Sequence, residues 1–159
     1  MPLAPPVPLR PSRPMTPRAF RDLFAREVAR FAVPYPFVAR ATLILVDREV
    51  SPYGRAWRDV AWASWRATPR VPGGIEAMRV SFLRRALALP RKNLIALIRH
   101  ELGHLCDVRR SEPGPGAEAR ADRIAVRVGG APIRYDANDL QTISTAKGTR
   151  ATRPAHLHQ

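Results

Sequence analysis

Two imidazoles and a carboxylate stand in one short run: His100, Glu101, Leu102, Gly103 and His104 spell HELGH. On a helix, residues four apart stack on one face, so His100 and His104 offer two nitrogens to one ion at a spacing that tetrahedral zinc accepts. Glu101 sits beside this pair and does not easily join the chelate. It is placed to take a proton from water acidified by the metal and to pass it later to a departing amine. Cleaving a peptide bond requires both proton transfers.

A catalytic zinc takes three protein ligands and keeps one position open. Glu118 is the first candidate for the third, because it opens the next apolar-patterned segment and shares a helical face with Asp122, four residues on. That spacing suggests Glu118 as ligand and Asp122 as the acceptor that fixes a ligand histidine's tautomer through its other ring N–H. The alternative for this pair is a solvated acidic face salt-bridged to Arg120, Arg123 or Arg127. Asp107 is the runner-up ligand, since it continues the i, i+4, i+7 series from His100 and His104. An unbroken helix would carry it too far along the axis, and a helix cap or a salt bridge to Arg110 is its other reading. The oxyanion of a tetrahedral intermediate needs a donor besides the metal. Tyr135 is the candidate, with His156 and His158 behind it, and packing is the alternative role for Tyr135.

These residues need elements to hold them. Asn93 reads as an N-cap, and Leu94, Ile95, Leu97, Ile98, Leu102 and Leu105 then give an apolar helical face lasting to about Val108. The breaker cluster Ser111 to Gly116 follows, and a further helix from Ala117 to Val128 closes on Gly129 and Gly130. Upstream, Thr16 and Pro17 form a helix start, with Phe20, Leu23, Phe24, Val28 and Phe31 at helical spacing before Pro34 and Pro36 stop it. Ala41 to Val46 reads as a short buried strand and Ile75 to Leu83 as a second. Trp57 to Trp65 fits helix or strand and is read as a strand that forms a hairpin through Pro72, Gly73 and Gly74. The expectation is an α+β fold with a small three-stranded, mainly antiparallel sheet, an N-terminal helix, the HELGH helix and a Glu118-bearing helix.

HELGH followed by EARAD (Glu118 to Asp122) resembles the HExxH…ExxxD pattern of the gluzincin metallopeptidases. The small size is similar to minimal bacterial and phage forms, including the ImmA/IrrE type. The resemblance spans about Ile75 to Gly130. It implies a zincin-like fold with a three-stranded sheet over the active-site helix, an edge strand that binds an extended peptide, and zinc held by His100, His104 and Glu118. Peptide deformylase, another HExxH hydrolase, fits less well: Cys106, the sole cysteine, lies inside the motif helix, and no upstream thiol ligand exists. Core filling is the ordinary role for that thiol.

With 159 residues and 45% apolar content, the chain suits one compact domain. Its expected limits are residues 16–145, with a Pro-rich arm at 1–15 and a basic tail at 146–159. No apolar run approaches the ~20 residues that span a bilayer, and the N-terminus lacks the order of a secretory signal, so the expectation is a cytoplasmic protein without a membrane partner. The net charge of +14 invites polyanions, yet its arginines are scattered and no zinc-finger, RRM or basic-zipper pattern accompanies them. The expected partner is therefore a peptide or protein substrate, with non-specific polyanion binding beside it. The rival reading is a virion or nucleic-acid-associated binding protein whose zinc only staples the fold. Glu101 distinguishes the two, because a structural site has no use for it.

Overall fold

The computed structural model describes residues 13–48, 60–68, 75–108 and 115–130. The first element is helix α1, Pro17–Ala32, entered as expected: the Thr16 side chain accepts from the Ala19 N–H at 3.1 Å, and Pro17 takes the first helical position. Its buried stripe is Phe20, Leu23, Phe24, Val28 and Phe31, with Phe20 edge-on to Phe82 of the sheet at 4.9 Å between ring centroids. After a 3-10 turn at Pro36–Arg40 come strands β1 (Thr42–Val46), β2 (Ala61–Ala67) and β3 (Ile75–Leu83). A second 3-10 turn, Arg84–Ala88, leads into α2 (Arg91–Cys106), and α3 follows at Pro115–Gly129. Among the described residues, no helix is long and apolar enough to cross a membrane.

The strand order is β1–β3–β2, with β2 antiparallel and β1 parallel to the central β3. The sheet is thus mixed, which corrects the mainly antiparallel expectation. Alternating apolar residues show which face of a strand is buried but do not show its direction. Parallel partners need a dozen or more residues between them, and the long stretch from Val46 to Ile75, which contains β2, supplies that length. β1 also corrects its expectation of full burial: it is an edge strand, with Thr42 and Ile44 exposed and Leu43 and Leu45 half-buried. The segment around Trp65 is a strand, as read, and it pairs with β3 as a hairpin would. Trp57 and Pro72 to Gly74 lie outside the described residues.

Across one step of the β2–β3 ladder, Ser64 pairs with Arg79 and Arg66 with Glu76, so β3 uses three residues where β2 uses two. This is a β-bulge, and Ala77 within it has φ of 51°. The extra residue shifts the phase of β3, which lets Ile75 join Met78, Val80 and Phe82 in the core. Without it, strict alternation would turn Ile75 to the side of exposed Arg79.

The central helix α2 is buried on nearly every side from Asn93 to Cys106, against the sheet, α1 and α3. Its start corrects the sequence reading. Pro90 is the N-cap, and Asn93 lies inside the first turn, fully buried, donating its N–H to the Pro90 carbonyl at 2.9 Å. Extended backbone at Leu89, the conformation a residue preceding proline favours, delivers the chain to that start. The helix stops at Cys106, and Asp107 is already extended. Helix α3 ends as expected on glycine: Gly130 has φ of +72° and donates its N–H to the Val126 carbonyl at 2.9 Å.

Candidate metal centre

Burying a polar side chain is costly unless it gains partners, yet the last two turns of α2 and its C-cap bury four: His100, Glu101, His104 and Asp107. The two histidines meet as their spacing requires. Their rings stand at 90° with centroids 4.7 Å apart, and the two Nε2 atoms are separated by 3.1 Å. Helix α3 brings Glu118 onto the same point, with Oε2 at 3.0 Å from His100 Nε2 and Oε1 at 3.3 Å from His104 Nε2.

Three ligand atoms at zinc's usual 2.0–2.1 Å, arranged at tetrahedral angles, lie about 3.3 Å from one another. The observed separations of 3.0, 3.1 and 3.3 Å come close to that triangle. His100, His104 and Glu118 therefore form a cluster that could hold a metal ion, with two imidazoles and one carboxylate as its donors. Both histidines are buried and the Glu118 side chain is about one-third exposed, so the cluster opens to solvent on the α3 side.

Asp122, one turn after Glu118, reaches the other nitrogen of the first histidine, with Oδ1 2.6 Å from His100 Nδ1. An ionised carboxylate only accepts, so a His100 whose Nε2 is given to a metal would carry its proton on Nδ1, toward Asp122. Two of the three arginines named as possible partners of this acidic pair have partners elsewhere. Arg120 Nε donates to Asp107 Oδ2 at 2.8 Å, and Arg127 donates to the Tyr35 hydroxyl. Asp107 is thus the C-cap of α2 and the partner of Arg120, and it stands outside the cluster. Glu101 is buried at 2% exposure directly after His100. Tyr135, His156 and His158 lie outside the described residues.

Two devices that position the site were not read from the sequence. Gly103 faces α3 so closely that a Cβ there would lie 2.4 Å from the Ala121 carbonyl oxygen. The signal was present, because glycine in a helix interior costs about 1 kcal/mol and marks a close approach when it persists. The Gly103 contact, flanked by the Asp107–Arg120 ion pair, sets α3 at the distance and register from which Glu118 and Asp122 reach the histidines. The second device is a forked ion pair behind the site. Arg99 donates to Glu27 of α1 through Nε at 2.8 Å and Nη2 at 3.3 Å, and its Nη1 reaches the Gly129 carbonyl at 3.4 Å. This pair ties α1 and the end of α3 to the residue preceding His100. Helical periodicity assigned the Glu27 position no role, since a lone acid on an apolar stripe does not announce its partner. Comparison with known protein families, curated proteins and solved structures found nothing that matches this chain.

Proposed function

We propose that this chain is a zinc-dependent metallopeptidase in which His100, His104 and Glu118 hold the metal and Glu101 is the general base and acid. The observation that carries the reading is the convergence of two Nε2 atoms and the Glu118 carboxylate within 3.0–3.3 Å, with a buried glutamate next to the first histidine. Zinc in such a set supplies a Lewis acid that brings the pKa of water to about 7 and polarises a carbonyl. The chain supplies the rest. Glu101 takes the proton from the attacking water and later gives it to the leaving amine. Asp122 keeps the His100 ring in one tautomer and one orientation, and Gly103 with the Asp107–Arg120 pair keeps Glu118 within reach. The substrate class is a peptide or protein. β2, an edge strand that packs against α2, is the strand beside which an extended segment would lie.

The test is zinc-loaded wild type against Glu101→Gln on a mixed peptide library read by mass spectrometry. Wild type is expected to cut peptide bonds, and the variant to retain zinc while losing about 10²- to 10⁴-fold in rate. Cleavage undiminished in the variant removes Glu101 from the chemistry. Stoichiometric zinc in a wild type that cuts nothing would favour the stapled binding protein instead.

A further inference from the structure

The charge of this molecule is not evenly compensated. Acidic partners take up several of its arginines: Glu27 engages Arg30 and Arg99, and Glu76, Asp47 and Asp107 engage Arg66, Arg84 and Arg120. Five exposed cations at one end make no ion pair with another described residue: Arg13, Arg18 and Arg21 at the entry to α1, and Arg91 and Lys92 in the first turn of α2. A backbone bond brings the two groups together. The Met15 N–H donates to the Leu87 carbonyl at 2.9 Å, laying the chain that enters α1 against the 3-10 turn that leads into α2. Neither helix has an acidic residue in its first turn. Cations there oppose the helix dipole, an arrangement that costs stability and that a bound polyanion would relieve.

We propose that this end of the molecule docks on the sugar–phosphate backbone of duplex nucleic acid, without base sequence preference. Arginine forks match phosphate oxygens two at a time. The surroundings argue against the other polyanionic surfaces. The exposed large apolar residues among those described are Val33, Ile44, Val108 and Val126, and Val33 and Val108 lie at the opposite, C-terminal ends of α1 and α2. Among the described residues, the helix starts that carry these cations have no large exposed apolar side chain to enter a lipid headgroup layer. Nor is any aromatic residue among those described exposed, Tyr35, Phe37, Trp62 and Trp65 being half-buried and the rest buried, so no open platform for an unpaired base accompanies the cations. What remains is charge, which reads backbone alone. The surface is separate from the metal cluster, since Arg91 precedes His100 by roughly 14 Å along the helix axis. The inference does not depend on the peptidase reading.

The experiment uses the full chain and a fluorescent duplex of about 20 base pairs, titrated by anisotropy from about 50 to 200 mM KCl. Five phosphate contacts predict a slope of log K on log salt of about −4.5. The triple variant R18E/R91E/K92E should bind at least about 100-fold more weakly at the low-salt end and flatten the slope by about 3. A control triple of equal charge change at exposed arginines elsewhere, R48E/R79E/R123E, should lose less than about tenfold. Glutamate in a first turn suits the dipole, so the docking triple should melt no lower than wild type. Should it melt lower, the neutral triple R18Q/R91Q/K92Q replaces it and should still lose more affinity than the control. Equal losses in the docking and control triples would overturn the assigned surface. Absence of duplex binding by wild type at about 50 mM salt, or tighter binding to phosphatidylserine vesicles than to duplex, would overturn the partner.

Discussion

Replacing Gly103 by alanine tests how the site is held together. In an ordinary helix interior that change stabilises by about 1 kcal/mol, because alanine is the better helix former. Here the new Cβ would stand 2.4 Å from the Ala121 carbonyl oxygen and 3.0 Å from its carbon. A carbon and an oxygen in close contact sit at about 3.3–3.6 Å, so α3 must move away by about 1 Å. The obstructing atoms are backbone, and no rotamer change relieves them. Overpacking of this kind costs about 1–3 kcal/mol, which cancels or exceeds the propensity gain. The consequence at the metal is larger than at the fold. Ligand distances are tolerated to about ±0.2 Å, and a shift of about 1 Å lifts Glu118 off the triangle it makes with the histidines. Zinc affinity, measured by competition with a chromophoric chelator, should fall by about 100-fold or more, while unfolding of the metal-free protein moves by less than about 2 kcal/mol. A variant that is more stable by about 1 kcal/mol with wild-type zinc affinity would refute the close approach as the device that sets Glu118.

Two further predictions concern the frame. Asp107→Leu or Arg120→Met alone removes one member of a largely buried pair and should cost about 3–5 kcal/mol in denaturant unfolding, whereas the two changes together should cost far less than their sum. Additive losses in that cycle would show that the two residues act separately. Ala77→Gly should raise stability by up to about 1 kcal/mol, since relief of a left-handed alanine (about 1–2) exceeds the entropy glycine adds to the unfolded chain (about 0.4–1). A net loss at this exposed position would contradict the strain assigned to the bulge.

The helices were legible because their signals are local: the Thr16–Pro17 start, phenylalanines at helical spacing, and glycine at the end of α3. The clustering of His100, His104, Glu118 and Asp122 was legible for a related reason, since four-residue spacings on two helices fix which side chains share a face. Pairing between distant segments was not. Whether β1 runs with or against β3 is decided by the route of the chain between them, and nothing in TLILV encodes it. The bulge at Ala77 was hidden because alanine carries no mark of left-handed backbone, although the three-residue step from Ile75 to Met78 was a trace of it. Asn93 misled by its type: asparagine caps helices well, but here Pro90 began the helix first. The ion pairs of Asp107 with Arg120 and of Glu27 with Arg99 join residues whose spacing in sequence says nothing of their contact.

The measurement that tests the metal centre most directly is the zinc content of wild type and Glu118→Ala, purified identically without a metal-binding tag. One zinc per folded wild-type chain and its loss from a folded variant is the predicted result. A folded wild type without metal after equilibration with zinc, or a variant that retains zinc undiminished, would contradict it.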